Sequence, residues 1–382
     1  MNSVSNIIDS KKCFACGMCY TVCPTDAISI KANNKSGFFD ISVSSKCVGC
    51  KKCLSVCPAN ENKEIDVHSV GTYKDIFLIH SKNHNVRKMS TSGGVINSIV
   101  RYIIENDVVD CTYLIKENIE GDFECEVVRI DKSNVNMLLE NPRDFASRYI
   151  SYPVLSALKN EDETNIAVIG TPCQINALAK YDRNNKILKI GIACSGATSY
   201  LATKIVKQKL LSDSENAHIF YRGNGWPGFN SIVSASKTIE TPHNKSDFEK
   251  IYSSQIFRRK SCLDCYDHFA ENADISLFDF WNSQEMKNEK IGNSAVIIRS
   301  DKGEKIIKDA VEKNYIEIQT SLTEQEALET QQSPLYFKKN KPYKKRAKIY
   351  YIFADIFKKL KLYKLLPLSV YKYFCKILNK LK

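Results

Sequence analysis

Residues 13–58 have the sequence CFACGMCYTVCPTDAISIKANNKSGFFDISVSSKCVGCKKCLSVCP. This stretch contains two copies of one pattern, Cys-x-x-Cys-x-x-Cys-x-x-x-Cys-Pro, and its cysteines are Cys13, Cys16, Cys19 and Cys23 in the first copy and Cys47, Cys50, Cys53 and Cys57 in the second. Three thiolates spaced in this way share one tight loop and can bind three irons of a cubic cluster. The repeated spacing therefore predicts two [4Fe-4S] clusters in a duplicated N-terminal module.

The fourth cysteine of each copy points away from its own loop, because it begins the next helical turn. We therefore expect it to bind the cluster of the other copy, as in bacterial-type ferredoxins. The resulting groups are Cys13, Cys16, Cys19 and Cys57 for one cluster and Cys47, Cys50, Cys53 and Cys23 for the other. Zinc knuckles are the alternative, but they usually consist of two Cys-x-x-Cys pairs that a longer loop separates. A disulfide framework is typical of small secreted domains instead.

The size and composition of the chain are those of a globular protein with several domains. It has 382 residues, of which 43% are hydrophobic and 26% charged. We expect a ferredoxin-type domain over residues 1–70, an α/β domain over 71–330 and a helical tail over 331–382. The first twelve residues lack the apolar core of a signal peptide, and no apolar run approaches the roughly 20 residues that span a bilayer. Fifteen cysteines without a secretion signal indicate metal ligation in a reducing cytoplasm.

The positive charge is concentrated at the C-terminus. Residues 338–382 contain fifteen Lys or Arg and one acidic residue, Asp355, a charge of +14 within a total of +12, so the remainder carries −2. This distribution argues against a nucleic-acid-binding protein, which would be basic over its binding domain. Apolar residues alternate with lysines from Lys348 to Leu366 and again after Pro367. Such a basic amphipathic segment is typical of helices that lie on anionic membranes, or of helices that pack on a partner subunit or on their own domain.

The middle of the chain has the pattern of an α/β domain. Apolar runs at 76–80, 108–115, 125–130, 165–170 and 186–193 predict strands, and helical spacing follows several of them. The loop Ser92-Gly93-Gly94 opens one predicted helix and is a candidate anion site, although Ser92 could equally be an ordinary N-cap. A second predicted turn, Gly170-Thr171-Pro172-Cys173-Gln174, joins a strand to a helix, and this position is expected to lower the pKa of the Cys173 thiol.

Four further cysteines are candidates for a third cluster. Cys173 and Cys194 follow two predicted strands, and Cys262 and Cys265 form a Cys-x-x-Cys pair. Ligand-binding residues collect at the carboxyl ends of parallel strands, where Cys173 and Cys194 are expected. The alternative is that these two cysteines are small buried hydrophobes. Cys111, Cys125 and Cys375 lie in apolar context, and we expect them to be structural.

The motifs of residues 70–300 resemble those of the coenzyme F420 hydrogenase/dehydrogenase beta-subunit family, which in turn is similar to the plant enzyme 7-hydroxymethyl chlorophyll a reductase. The matching segments are Ser92-Gly93-Gly94, Ser147-Arg148-Tyr149, Gly170-Thr171-Pro172-Cys173-Gln174, Ala193-Cys194-Ser195-Gly196, residues 221–228 (YRGNGWPG), Cys262-x-x-Cys265 and Ala273-Asp274-Ile275-Ser276. The ferredoxin module in front is a known arrangement in this family. One position departs from the family pattern, because Phe278 stands where the family usually has glycine. We expect its side chain to narrow the ligand pocket of the α/β domain.

The resemblance implies an FAD-binding α/β domain with its own [4Fe-4S] cluster on Cys173, Cys194, Cys262 and Cys265. It places FAD against residues Ser92, Gly93, Gly94, Gly170, Thr171 and Gln174, with Arg222 near the flavin phosphates or an acidic substrate. The expected fold is therefore an α+β ferredoxin-like module, an α/β flavin-binding domain and a basic helical tail.

Together these features indicate a flavin-dependent iron–sulfur oxidoreductase. Clusters carry single electrons, whereas a flavin also exchanges hydride. The expected partners are a ferredoxin or another redox protein and a small-molecule substrate, either coenzyme F420 or a metabolite of polysaccharide synthesis. The alternative is a non-catalytic electron-transfer subunit that docks on a partner enzyme. We expect a cytoplasmic location, and the tail leaves open a peripheral one at the inner face of the membrane.

Overall fold

The computed structural model describes residues 3–61, 66, 68–163, 165–211, 216–281, 286–332, 335, 338 and 341–380, except for the side chains of 341–348 and 378–379. Over this range the protein has mixed α/β structure, with a small N-terminal iron–sulfur module and a large domain built on an eight-stranded sheet.

The N-terminal module has a duplicated layout, in which each cysteine loop leads into a short helix. Its elements are α1 (Ser5–Asp9), α2 (Met18–Thr21), β1 (Ile28–Asn33), β2 (Phe38–Val43), α3 (Lys52–Ser55) and a 3-10 turn at Pro58–Asn60. The two predicted strands form an antiparallel ribbon in which Ile30 lies opposite Ile41. Ile28, Phe39 and Ile41 pack against the N-terminal segment, so the ribbon and α1 enclose the cysteine loops.

The large domain has one main sheet and one small sheet. The strands in chain order are β3 (Asp75–Ser81), β4 (Cys111–Glu117), β5 (Cys125–Ile130), β6 (Ile166–Gly170), β7 (Leu188–Ile192), β8 (Ala217–Phe220), β9 (Phe229–Ser234), β10 (Thr238–Pro242), β11 (Ile275–Asp279), β12 (Ser294–Ile298) and β13 (Ile316–Ser321). The main sheet has the order β13-β3-β12-β11-β7-β6-β4-β5 and the small sheet β10-β9-β8. Strands β4, β6, β7 and β11 are mutually parallel, so their carboxyl ends share one edge of the sheet.

Helices cover both faces of the main sheet. The helices of the large domain before the tail are α4 (His84–Met89), α5 (Val95–Glu105), α6 (Met137–Glu140), α7 (Pro172–Tyr181), α8 (Leu201–Leu210), α9 (Asp247–Ser254), α10 (Asp301–Glu312) and α11 (Glu324–Thr330), of which α8 and α9 pack on the small sheet instead. Successive residues of a strand point to opposite faces. On β6, Ala167 and Ile169 therefore join the core under α5 and α10, whereas Ile166 and Val168 join the core under α7. Met18 of the N-terminal module is buried in the second of these cores, which docks the module on the large domain.

The small sheet forms a separate core with α8, α9 and the C-terminal tail. The tail consists of α12 (Lys341–Lys359), a 3-10 turn at Leu362–Lys364 and α13 (Val370–Lys380). Tyr351, Phe357 and Tyr371 of the tail are buried in the core that Ile219 and Ile251 share. Among the described residues, no helix is both long and apolar enough to cross a membrane.

Candidate functional site

The first predicted ligand group lines a single cavity. Cys13, Cys16, Cys19 and Cys57 surround an empty space of about 400 Å³ whose other walls are mainly apolar. The loop needs a glycine at position 17 to reach this position. Gly17 has a φ of 96°, and a Cβ on it would lie only 2.8 Å from the carbonyl oxygen of Pro153. The structure thus brings Cys57 of the second motif to the three cysteines of the first.

The second predicted group lines a neighbouring cavity of about 320 Å³. Its cysteines are Cys23, Cys47, Cys50 and Cys53. Cys47 and Cys50 are exposed, whereas Cys53 is buried. This cavity therefore opens towards solvent. The four cysteines that line each cavity are the four that the spacing assigns to one cluster.

Burial favours the protonated form of Cys16, Cys19 and Cys57 in the first cavity, because it raises the pKa of each thiol. Burial raises the pKa of Cys16 well above its usual value, and Cys19 and Cys57 raise it further. Burial also raises the pKa of Cys57 to about 11. Because metals bind the thiolate form, ligation here would release protons. Within the described ranges no three His, Cys, Asp or Glu side chains converge on one ion position, as zinc would require, whereas a four-iron cube binds each thiolate through a different iron.

The third cysteine group lies at the shared edge of the parallel strands. Cys173 is in the first turn of α7 directly after β6, and Cys194 follows β7 by two residues. Cys262 and Cys265 lie in and just beyond the 3-10 turn Lys260–Leu263. Cys265 raises the pKa of Cys173, and Cys262 raises that of Cys194, so the four thiols are close enough to interact. The fold therefore assembles them from separate chain segments.

The expected low pKa of Cys173 is wrong. Burial raises the pKa of this thiol well above its usual value, and the neighbouring thiols Cys265 and Cys16 add to the effect. Desolvation outweighs the helix N-terminus, because a thiolate loses its hydration in this apolar position. Burial therefore favours the thiol over a free thiolate at Cys173.

Lys338 is a buried residue of this site that the sequence did not reveal. Its Nζ donates to the carbonyl oxygen of Asp267 at 2.6 Å and lies 3.5 Å from Cys265 Sγ. The side chain is only 2% exposed. In the sequence it is the first of many tail lysines, so nothing in the sequence distinguishes it from the others.

The three cysteine groups form a series. Cys53 of the second cavity raises the pKa of Cys19 in the first, and Cys16 of the first raises that of Cys173 in the third. The loop before Cys262 is attached to the first cavity, because both Arg259 Nε and Ser261 Oγ donate to the carbonyl oxygen of Cys13 at 3.0 Å. The order from solvent to the sheet edge is therefore second cavity, first cavity, third group.

The glycine loop that the resemblance assigns to FAD packs against strand β12. Ser92 Oγ donates to the carbonyl oxygen of Asn293 at 2.5 Å, and the Gly93 amide donates to Ser294 Oγ at 3.0 Å. A Cβ on Gly93 would lie 2.7 Å from the Ser294 nitrogen, so glycine is required for this contact. The N-cap of α5 is Gly94, not Ser92.

The turn around Thr171 is also stabilised from within the chain. Gln174 Oε1 accepts hydrogen bonds from the Thr171 amide at 2.8 Å and from its hydroxyl at 3.0 Å, and Gln174 Nε2 donates to the carbonyl oxygen of Tyr152 at 2.6 Å. Gly170 has little room for a side chain, since a Cβ would lie 3.0 Å from that of Gln174. These contacts fix the start of α7, and with it the position of Cys173.

Arg222 is fully buried and joins three loops. Its guanidinium donates to the carbonyl oxygens of Pro227 at 2.7 Å and Thr91 at 3.0 Å, and to Asp279 Oδ2 at 3.1 Å. The cation also lies over the ring of Trp281 at 4.8 Å. In this structure Arg222 is a positioning residue whose three donor nitrogens have protein partners.

Phe278, the departure from the family pattern, is buried in an apolar core. Its ring packs edge-on against Phe269 with centroids 5.3 Å apart, on the far side of the backbone from Asp279, the next residue of β11. The phenylalanine therefore fills the core in this structure.

Two buried polar atoms, each next to a residue that Arg222 contacts, have no hydrogen-bond partner within the described part of the chain. They are Ser90 Oγ and His243 Nδ1. The His243 ring stacks on Trp281 at 5.9 Å, and Ser90 precedes Thr91. Buried polar atoms are normally paired. A polar, planar cofactor edge such as that of FAD fits a place where unpaired donors and acceptors border aromatic rings.

Family comparisons assign two parts of the chain. Residues 6–65 match the 4Fe-4S dicluster domain, and residues 163–323 match the family described as the C terminus of the coenzyme F420 hydrogenase/dehydrogenase beta subunit. The first range contains the eight cysteines of the repeated motif, and the second contains all four of the third group.

Similar proteins come from species of Methanosarcina and Methanocaldococcus. The chain is 26% identical over 341 residues to an F(420)H(2) dehydrogenase subunit of Methanosarcina mazei, and the match covers 81% of this chain and 86% of that protein. It is 26% identical over 332 residues to the coenzyme F420-dependent sulfite reductase of Methanocaldococcus jannaschii, over 81% of this chain but only 47% of that protein. The fold is that of a chain in the F420-reducing [NiFe] hydrogenase complex of Methanosarcina barkeri, with a TM-score of 0.52, 17% identity and coverage of 72% of this chain and 93% of that one.

Proposed function

Because the chain carries a 4Fe-4S dicluster domain in front of the C-terminal domain of the coenzyme F420 hydrogenase/dehydrogenase beta subunits, we propose that it is a flavin-dependent iron–sulfur oxidoreductase. It would exchange single electrons with a carrier protein and hydride with a small molecule. The observation that carries this proposal is the series of three cysteine groups, which leads from the exposed Cys47 and Cys50 to the sheet edge at Cys173.

Each group has a part in this proposal. The second cavity receives or delivers electrons at the surface, the first relays them, and the third, on Cys173, Cys194, Cys262 and Cys265, holds a further [4Fe-4S] cluster. FAD, when bound, supplies the conversion between one-electron and hydride chemistry. Ser90 and His243 would hold its polar edge, while Arg222 keeps their loops in place and the aromatic rings exclude water. The N-termini of α5 and α7 have the positive dipole ends that suit its phosphates.

Coenzyme F420 is the substrate class that the names of the relatives favour. A sugar-derived metabolite is the second candidate. Several relatives are named as subunits, which supports assembly with a partner protein that supplies or removes electrons. In the alternative function, the chain lacks flavin and only relays electrons within such an assembly.

The first test is the content of iron, sulfide and flavin after oxygen-free purification. Three four-iron clusters and one flavin require about twelve irons and one FAD per chain. Cys173→Ala should then retain about eight irons, whereas the matched control Cys375→Ala, in the tail, should retain about twelve. About eight irons without FAD in the unaltered protein would contradict the proposal and favour the relay subunit.

A further inference from the structure

The C-terminal tail has two apolar faces, and only one of them is covered. Tyr350, Tyr351, Ala354 and Phe357 of α12 are buried in the core of the small sheet. The opposite face of the same helix is exposed and consists of Ile349, Ile352, Phe353, Ile356 and Leu360. These positions recur at helical spacing, so they form one continuous stripe.

The tail also exposes apolar side chains beyond α12. These are Leu362 and Leu365 in and after the following turn, and Tyr373 and Ile377 on α13. Phe353 is 66% exposed and Leu365 is 79% exposed. Single exposed apolar residues are normal on a protein surface, whereas a contiguous set of this size is typical of an interaction site.

Lysines accompany the stripe, and carboxylates do not. The exposed lysines are Lys359, Lys361, Lys364, Lys372, Lys376 and Lys380. The one acidic residue of the tail, Asp355, is paired with Lys260 and Lys358 and is partly buried. Over the described residues 349–380 the exposed surface is therefore both apolar and cationic.

We propose that this surface, the apolar stripe with its lysines, binds an anionic lipid bilayer and lies in the plane of its headgroups. The apolar side chains would enter the acyl boundary, and the flexible lysine stems would extend to the phosphates. Nearly all the tail cations are Lys rather than Arg, and lysine is depleted at protein–protein interfaces. A second copy of the chain is disfavoured as the occupant, because two such surfaces would bring like charges together.

The test is co-sedimentation of the complete, oxygen-free protein with vesicles. Vesicles of phosphatidylcholine with about one third phosphatidylglycerol should bind the chain at least about tenfold more tightly than pure phosphatidylcholine vesicles, and added salt should weaken the binding. The double variant Ile352→Ser/Phe353→Ser and the double variant Lys359→Gln/Lys361→Gln should each lose about tenfold in affinity. Both alter only exposed side chains, so their iron content should be unchanged.

The matched control is Lys305→Gln/Lys308→Gln, which removes two exposed lysines from α10 and should bind like the unaltered chain. The proposal is overturned if anionic vesicles bind no better than neutral ones, or if the stripe variants bind as well as the control. It is also overturned if sedimentation velocity finds a dimer that Phe353→Ser dissociates, since the stripe would then be covered by a second copy.

Discussion

Replacement of Lys338 by methionine should lower the reduction potential of the proposed third cluster. The ammonium lies 3.5 Å from Cys265 Sγ, which places it roughly 6 Å from the centre of a cluster bound there. With an effective dielectric constant of about 20, Coulomb's law gives about 3 kcal/mol between this charge and one added electron. Since 1.4 kcal/mol corresponds to about 59 mV for one electron, the potential should fall by about 120 mV.

The assay is an EPR-monitored redox titration of the oxygen-free protein. The signal of the third cluster is identified as the one that Cys173→Ala removes. Lys338→Met preserves the length of the side chain and removes its charge, and Lys338→Arg preserves the charge. The arginine variant should therefore remain within about 30 mV of the unaltered protein, while the methionine variant shifts.

The outcomes distinguish an error about the buried charge of Lys338 from an error about the existence of the third cluster. A third cluster that is present in Lys338→Met at an unchanged potential would refute the role of the buried charge. An unaltered protein with only about eight irons would instead refute the third cluster itself. Lys338→Arg also detects a purely structural role, because loss of the cluster in both variants would show that the pocket needs the lysine shape and not its charge.

Three further predictions concern other parts of the molecule. Cys57→Ser should remove the cluster of the first, buried cavity, and Cys23→Ser that of the second, exposed cavity, and each variant should retain about eight irons. Ferricyanide should oxidise the remaining clusters faster in Cys57→Ser, because this variant keeps the exposed cluster. Equal rates would contradict the crossed assignment. Tyr371→Ala should lower the local free energy of unfolding of the tail by about 3–5 kcal/mol, because it removes a buried ring. Limited proteolysis should then cleave the tail faster while the iron content stays unchanged. An unchanged cleavage rate would mean that this ring does not hold α13 in place. Burial and the charge of Arg222 lower the pKa of His243 from 6.5 to about 3, so its contribution to stability is complete above pH 6.5 and is lost as the pH falls towards 3. Amide exchange of the small sheet should report a loss of about 1.4 kcal/mol between pH 7.5 and 5.5, and His243→Gln should abolish that loss.

The grouping of the ferredoxin cysteines could be predicted because it depends on short-range geometry. The spacing within each motif determines which three thiols share a loop, and the position after the loop sends Cys23 and Cys57 to the opposite cavity. Five of the eight strands of the main sheet, β3 to β7, were predicted for a related reason, since buried strands are short, continuous apolar runs. The start of β4 differs most from the prediction, because the amides of Val108 and Val109 donate to the carbonyl oxygen of Ile103 and end α5, which delays β4 to Cys111.

The tail shows where periodicity stops being informative. Its apolar residues fall on two faces of α12, and a helical pattern alone does not distinguish the face that packs on the domain from the face that remains exposed. The difference comes from shape: the small sheet and α9 offer a concave core that Tyr351, Phe357 and Tyr371 fill. The structure therefore assigns one face of the segment to packing on its own domain, and the proposed membrane contact concerns only the opposite face.

Contacts between distant residues could not be predicted from the sequence. Lys338 and Cys265 are 73 positions apart, and no periodicity relates them. The family resemblance placed Arg222 near the flavin phosphates or an acidic substrate, but its donors are directed at Thr91, Pro227 and Asp279. A basic residue in a functional motif can act by holding loops together as well as by contacting a substrate.

In the proposed function, the docking of the N-terminal module joins the separate cysteine motifs into one path for electrons. A module on a free linker would bring its clusters near Cys173 only transiently. Here Met18 is buried among side chains of α7 and β6, and the loop of Cys13 accepts hydrogen bonds from Arg259 and Ser261, directly before Cys262. The same contacts that bury the module thus hold Cys16 beside Cys173, so loss of packing at Met18 should slow electron transfer between the two sites without changing the ligands of either.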